Sequence, residues 1–303
     1  MITSLIRNRQ LTLAQREEIA GWLFILPAVL GVIIWLAGPM IYSVWLSMTD
    51  WDLIRPARFV GGQNFVRMVN DPLFYKSLVV TVYYTAFHVP LTLILAFAVA
   101  LLLNTKTRGI ALFRTLYYLP TIVPAVANAV LWVWIFNSEF GLLNLLLRAM
   151  GLPKILWLQD PQTAMPALII MSLWTLGGTM IIFLAGLNGI SEQLYEAAEI
   201  DGAGSWARFW RITIPLMTPV IFFNLILQII GSFQVFTAGY LITRGGPNYA
   251  TNFYVLYLFD NAFSWFNMGY AAALAWVLFV IVLVLSLIVF RSGSQWVYYE
   301  EGN

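Results

Sequence analysis

The 303-residue chain has no cysteine, one histidine and few charges. Without cysteine there is no disulfide, thiolate metal site or cysteine nucleophile. A single histidine, His88, excludes a multi-histidine metal centre within the chain. Charged residues make up 10% of the sequence and hydrophobic ones 61%, with aromatics at 16%. A soluble domain carries about 25% charged residues, so this chain cannot cover a water-facing surface and reads as an integral membrane protein. A net charge of +2 gives no reason to expect a nucleic-acid partner. No G-x-x-x-x-G-K-[ST] occurs, so the chain does not cradle ATP through a P-loop.

What is abundant is apolar sequence in long runs. A membrane helix takes roughly 20 mostly apolar residues, and six segments qualify: 21–47, 78–103, 116–136, 164–186, 217–240 and 268–290. None contains Asp, Glu, Lys or Arg. The first run is too long for the apolar core of a signal peptide and reads as a retained helix, with Pro27 and Pro39 as candidate breaks. Six spans place both termini on one side. With the termini inside, nine Lys/Arg lie inside and seven outside, a small excess in the expected direction. The link "NTKTRGIALFR", with three basic residues and no acid, points the same way. The predicted architecture is all-α with six transmembrane helices. A cytoplasmic N-terminal tail covers 1–20, a membrane domain 21–291 and a cytoplasmic C-terminal tail 292–303. Longer outer loops fall at 48–77, 137–163 and 241–267, and "LLNLLLRAM" in the middle one predicts an amphipathic surface helix.

Between the fourth and fifth runs lies "LYEAAEIDGAGSWARFWRITIPL", within a loop at 187–215. Ser191 is a candidate N-cap, and Gly202 and Gly204 mark a helix end. At helical spacing Glu192, Glu196 and Glu199 form an acidic stripe, with Ile190, Leu194, Ala197 and Ala198 opposite. Trp206 and Trp210, four apart beside Arg208 and Arg211, suit the headgroup layer. Pro215 and Pro219 are expected to open the fifth helix. By periodicity alone the segment is an amphipathic helix on the membrane surface. "GAGSWA" also fits a relaxed dinucleotide fingerprint, which requires a preceding strand, and none is expected here.

Within the spans, polar side chains recur at helical spacing. The fifth offers Asn224, Gln228 and Ser232; the fourth Ser172, Thr175 and Thr179 with Trp174 nearby; the third Asn128. They suit either a polyol path or hydrogen bonds joining membrane helices. His88 reads as a packing residue of the bundle. The absence of charge from the spans weighs against a proton-coupled carrier and a membrane hydrolase.

The segment "EAAEIDGAGSWARFWRITIP" resembles the EAA loop of ABC importer membrane subunits, with Ile214 where the consensus has leucine. Flanking stretches, among them "LFRTLYYLPTIVPAVANAVLWVWIFNSEFGLLN" and "GSFQVFTAGYLITRGGPNYATNFYVLYLF", resemble the carbohydrate-uptake branch. Within it they look like the MalF or UgpA type, and the likeness runs from residue 20 onward. The resemblance implies a type I ABC importer permease fold in the plasma (inner) membrane. It also implies a second homologous permease subunit, two ATP-binding subunits that carry ATP and Mg, and an extracytoplasmic solute-binding protein. It assigns coupling to the ATPase to Glu196, Ala197, Ala198 and Gly202. It places the path of a sugar-like solute mainly on the helices flanking the loop, where Gln228, Ser232, Asn224, Trp174 and Thr175 lie; Asn128, on the third span, is a further candidate by its polarity. No catalytic residue, metal or cofactor is expected on the chain. An ion-gradient-driven secondary transporter and a membrane-embedded enzyme are the alternatives.

Overall fold

The structure is a computed structural model in which residues 12–298 are described. The outermost parts of the two expected tails, at 1–11 and 299–303, lie outside the described residues. Four continuous helices are long and apolar enough to span a membrane: Leu13–Ser47, Pro72–Leu103, Ser205–Phe233 and Met268–Trp296. Two bent pairs bring the total to six: Ile110–Ile122 with Ala125–Ile135, and Pro161–Leu173 with Gly177–Asn188. The six are called spans one to six in chain order.

Several expected boundaries shift. Span one is unbroken at its prolines, carrying a six-residue π-helical stretch, Val32–Ala37, between them. Its helix opens at Leu13, inside the segment expected to be a tail. Span three bends by 98°. The proline ring of Pro124 clashes with a helical residue before it, and Val123 is accordingly extended (φ −66°, ψ 129°). Span four bends by 46° after Trp174. Span five starts at Ser205 rather than near Pro215, because the helix runs from there through a π-helical stretch, Phe209–Thr213, that leads directly into the segment with the prolines.

Spans two and four begin the same way. Asp71 and Asp160 are extended N-caps, each followed by proline at the first helical position. The Asp71 carboxylate accepts from the Leu73 N–H at 2.9 Å and that of Asp160 from the Gln162 N–H at 2.9 Å. The capping oxygen satisfies an orphan donor, and proline has none to lose.

Span two is the pillar on which spans four and five pack. Apolar burial drives little helix association in lipid, so close packing and hydrogen bonds carry it. Ala96 and Ala100 are fully buried and let Met180, Phe183 and Met217 approach. On the side opposite the loop after span four, Phe74, Phe233, Tyr254 and Tyr270 form another core. A third gathers Tyr84, Trp132, Phe136, Leu168 and Phe253. The second half of span one is tied to the bundle: Trp276 donates to Ser43 Oγ at 3.1 Å, and Asn64 donates to the carbonyls of Ser47 and, just past the span, Thr49 at 2.9 and 2.8 Å. The expected amphipathic helix is Leu142–Ala149. Buried Asn144 pins it, donating to the Ser138 and Ile155 carbonyls and accepting from the Ile155 N–H and the Trp157 indole.

Candidate functional site

The loop between spans four and five folds as a short helix, Glu192–Ile200, bracketed by two turns. Ser191 is the extended residue before it, but its side chain makes no capping bond. The far end is closed by backbone geometry. Gly202 is left-handed at φ +79°. The Gly202 N–H donates to the Glu199 carbonyl at 3.0 Å and the Ala203 N–H to the Ala198 carbonyl at 2.8 Å. This is the paired-bond helix stop that favours glycine. No atom lies within 4 Å of where a Gly202 side chain would begin.

Three contacts tie the helix to its own chain. Lys106, from the link between spans two and three, donates to Glu192 Oε1 at 2.6 Å. Arg208 donates to Glu199 Oε2 at 3.0 Å. The Tyr195 and Thr213 hydroxyls lie 2.9 Å apart. Two members of the acidic stripe are thus paired, and Glu196 has no ion-pair partner among the described residues. The alanines divide: Ala198 is half-buried toward the bundle and Ala197 is exposed. The outward face carries Glu196, Ala197 and Ile200, and Ile200 is 87% exposed. Beside it Trp206, 74% exposed, stacks on Phe209 with ring centres 5.9 Å apart. Exposed apolar groups on this face are ones that a partner can cover.

The expected path residues differ in what they bond to. Asn224 and Ser232 are buried and bond to their own helix, at the Val220 and Ile229 carbonyls, both at 2.9 Å. Gln228 crosses to span four and donates to Thr179 Oγ1 at 2.7 Å. Thr175 donates to the Ser172 carbonyl at 3.0 Å at the span-four bend. Trp174 is half exposed there, edge-on to Trp132 at 6.3 Å. Asn128 is buried one turn before Trp132. His88 joins spans two and four: its Nδ1 lies 2.7 Å from Ser172 Oγ, and its ring stacks on Tyr84 at 4.9 Å. His88 and Gln228 therefore both attach to span four, on either side of its bend. Among the described residues no cluster could hold a metal ion.

Residues 88–293 match the family described as the binding-protein-dependent transport system inner membrane component. The chain belongs to this family. It is 44% identical over 292 residues to the probable ABC transporter permease YesP of Bacillus subtilis (strain 168), across 95% of this chain and 94% of that protein. It is 35% identical over 283 residues to the trehalose/maltose transport system permease MalF of Thermococcus litoralis, across 93% of this chain and 96% of that protein. Its fold matches a crystal structure of a bacterial ABC transporter involved in alginate import. The TM-score is 0.81 at 23% identity, covering 92% of this chain and 96% of that one. The all-α membrane architecture is that of an ABC importer permease.

Sequence reasoning missed one polar centre. Asp71, besides capping span two, accepts hydrogen bonds from the Tyr257 hydroxyl and from the Tyr270 hydroxyl at 2.7 Å. Arg67 lies over the Tyr270 ring at 4.4 Å. The Asp71-Pro72 pair is a cap signal that sequence reasoning passed over, and nothing local foretold two tyrosines nearly two hundred residues away.

Proposed function

We propose that the chain is one of two permease subunits of an ATP-driven, binding-protein-dependent importer for a sugar or sugar-like solute. Both termini face the cytoplasm, ATP and Mg belong to two partner ATPase subunits, and this chain catalyses no reaction itself. Helix 192–200 is the joint with the ATPase. Closure of the ATPase around ATP pushes on the face formed by Glu196, Ala197 and Ile200. Its movement passes to span five through Arg208–Glu199 and Tyr195–Thr213, and to spans two and three through Lys106–Glu192. The supporting observation is the helix itself: outward-facing apolar groups on a short rod, tied to several spans and stopped by a left-handed glycine.

The trehalose/maltose name of a relative 35% identical along nearly the whole chain supports a sugar as solute. Within the bundle, Trp174, Thr175 and Gln228 are the best placed to meet it. They are incompletely buried, whereas Asn224 and Ser232 are buried and bonded to their own helix, and Asn128 is buried.

Gly202 supplies the test. A side chain there meets no neighbour but must adopt a left-handed backbone, at a cost of about 1–2 kcal/mol. Gly202→Val in the reconstituted transporter is expected to lower solute moved per ATP hydrolysed while leaving the protein in the membrane. An unchanged ratio removes the coupling role. Uptake driven by an ion gradient without any ATPase removes the whole reading.

A further inference from the structure

At the ends of spans two and four and the start of span three lies a cavity of about 440 Å³. Its wall includes Thr105, Lys106, Thr107, Arg114, Glu192 and Tyr195. The charge there is unbalanced. Lys106 is paired with Glu192, but Arg114 takes part in no ion pair among the described residues. One Arg114 nitrogen, Nη2, donates to the Leu103 carbonyl at 2.9 Å, and its Nε is buried with no protein partner. A guanidinium presents several donors in a planar fork, and most of this one is unused.

Two further features favour an anion. The first residues of two helices, Ile110 and Glu192, line the cavity, and neither helix has a side-chain cap. The Ile110 N–H is taken by the Thr107 carbonyl at 3.3 Å, so the remaining first-turn N–H groups and the helix dipole are what attract negative charge. The Thr107 hydroxyl donates to Thr105 Oγ1 at 3.3 Å, which leaves the Thr105 hydroxyl as a donor suited to a group with several acceptor oxygens. A tetrahedral phosphate uses a lysine, an arginine fork and hydroxyls together, whereas a carboxylate has only two oxygens to offer. The level also fits. Leu103 ends span two and Ile110 opens span three, so the cavity sits where hydrocarbon gives way to headgroups, and basic pockets between spans there take lipid phosphates.

We propose that this cavity binds a phosphate group, carried by an anionic lipid or by a free phosphate compound, through Lys106 and Arg114. A bound phosphate draws Lys106 away from Glu192 and so loosens helix 192–200 from the link between spans two and three. That consequence for transport rests on the coupling role proposed above; the binding itself does not.

The full chain in nanodiscs tests it. Discs of phosphatidylcholine with added phosphatidylglycerol are compared by lipid retention in native mass spectrometry. Discs of phosphatidylcholine alone are titrated with pyrophosphate. Wild type is expected to retain phosphatidylglycerol over phosphatidylcholine, or to bind pyrophosphate; whichever arm responds names the source. Lys106→Gln combined with Arg114→Gln is expected to weaken binding at least about tenfold, since charge-assisted contacts are lost. Glu192→Gln removes the competing carboxylate and is expected to strengthen binding severalfold, a gain that misfolding does not produce. The proposal is overturned if wild type prefers neither probe, or if Glu192→Gln binds no more tightly than wild type. Neither arm measures transport or ATP hydrolysis, so a failure here stays separate from a failure of the coupling reading.

Discussion

Asp71 has several acceptor positions and fills them from three directions: its own helix start, Tyr257 and Tyr270. Partial burial pushes its carboxyl up, but the hydrogen bonds from Tyr257, then Tyr270, then the Leu73 and Phe74 N–H groups hold it below the usual 3.8. A carboxylate whose folded value is depressed contributes stability above the unfolded value and loses it as pH falls through the folded one. Stability from this centre is therefore expected to be flat from neutral pH to about pH 4 and to decline below. Asp71→Asn keeps the shape and loses the charge. Its melting transition in detergent at pH 7 is expected to fall by the equivalent of about 1–3 kcal/mol, with the gap to wild type narrowing below pH 4. A constant gap at all pH values would mean that the charge is immaterial. Glu192 follows the same sign. The hydrogen bond and charge of Lys106 lower its carboxyl from the usual 4.5, so their link is present at neutral pH and gives way only in acid. Because both side chains are largely exposed, the pair sets position rather than stability.

At the scale of elements, the bends in spans three and four are complementary. Span four turns away after Trp174, and Gly177 then passes so close to span three that a side chain there would begin 2.3 Å from the Tyr117 carbonyl oxygen. Its neighbour Gly178 has ordinary contact, 3.5 Å from Thr121 Cγ2. The two glycines should therefore respond differently to the same change. Gly177→Ala forces backbone apart and is expected to cost about 1–3 kcal/mol, read as a lower melting temperature. Gly178→Ala is expected to melt close to wild type. Equal effects would show that helix propensity, not the close approach, governs this region. Gly269 makes the corresponding approach at the other side of the protein, where a side chain would overlap the Thr49 carbonyl. Both contacts were invisible in the sequence. "WTLGGTM" announced a thin stretch of helix, but which glycine touches a backbone depends on a partner some sixty residues away. The shift in the start of span five has the same origin. Prolines suggested a beginning, while the helix already runs from Ser205 and its π-helical stretch, held at Thr213 by the tyrosine–threonine bond, leads into them.

The whole molecule leaves a large apolar area uncovered. In helix Leu13–Gly31 no residue is buried; Trp22 and Phe24 within it, and Trp35 just beyond it, are all largely exposed. Lipid accounts for such a surface on a membrane protein, and the proposed second permease subunit would cover part of it. Binding to the folded state raises apparent stability by mass action. The chain purified with its permease partner is accordingly expected to melt several degrees higher in detergent than the chain alone. Identical melting curves would indicate that the pair shares no extensive interface.

The class of the molecule was legible in the sequence. Uncharged apolar runs can only be satisfied in lipid, and the spacing of "EAAEIDGAG" marks a surface helix with a glycine stop, now seen as 192–200 with Gly202 left-handed. These are local properties, set by transfer free energy and backbone sterics within a few residues. Tertiary structure alone decided which polar side chains are available. Asn224 and Ser232 stand in line with Gln228 on a helical wheel, yet they bond to carbonyls of their own helix while Gln228 reaches Thr179. Likewise Glu192 and Glu199 are taken by Lys106 and Arg208, leaving Glu196 to face outward. A hydrogen-bonding group is satisfied by whatever neighbour folding brings within 3 Å or so, and that neighbour is fixed by how the spans bend and pack.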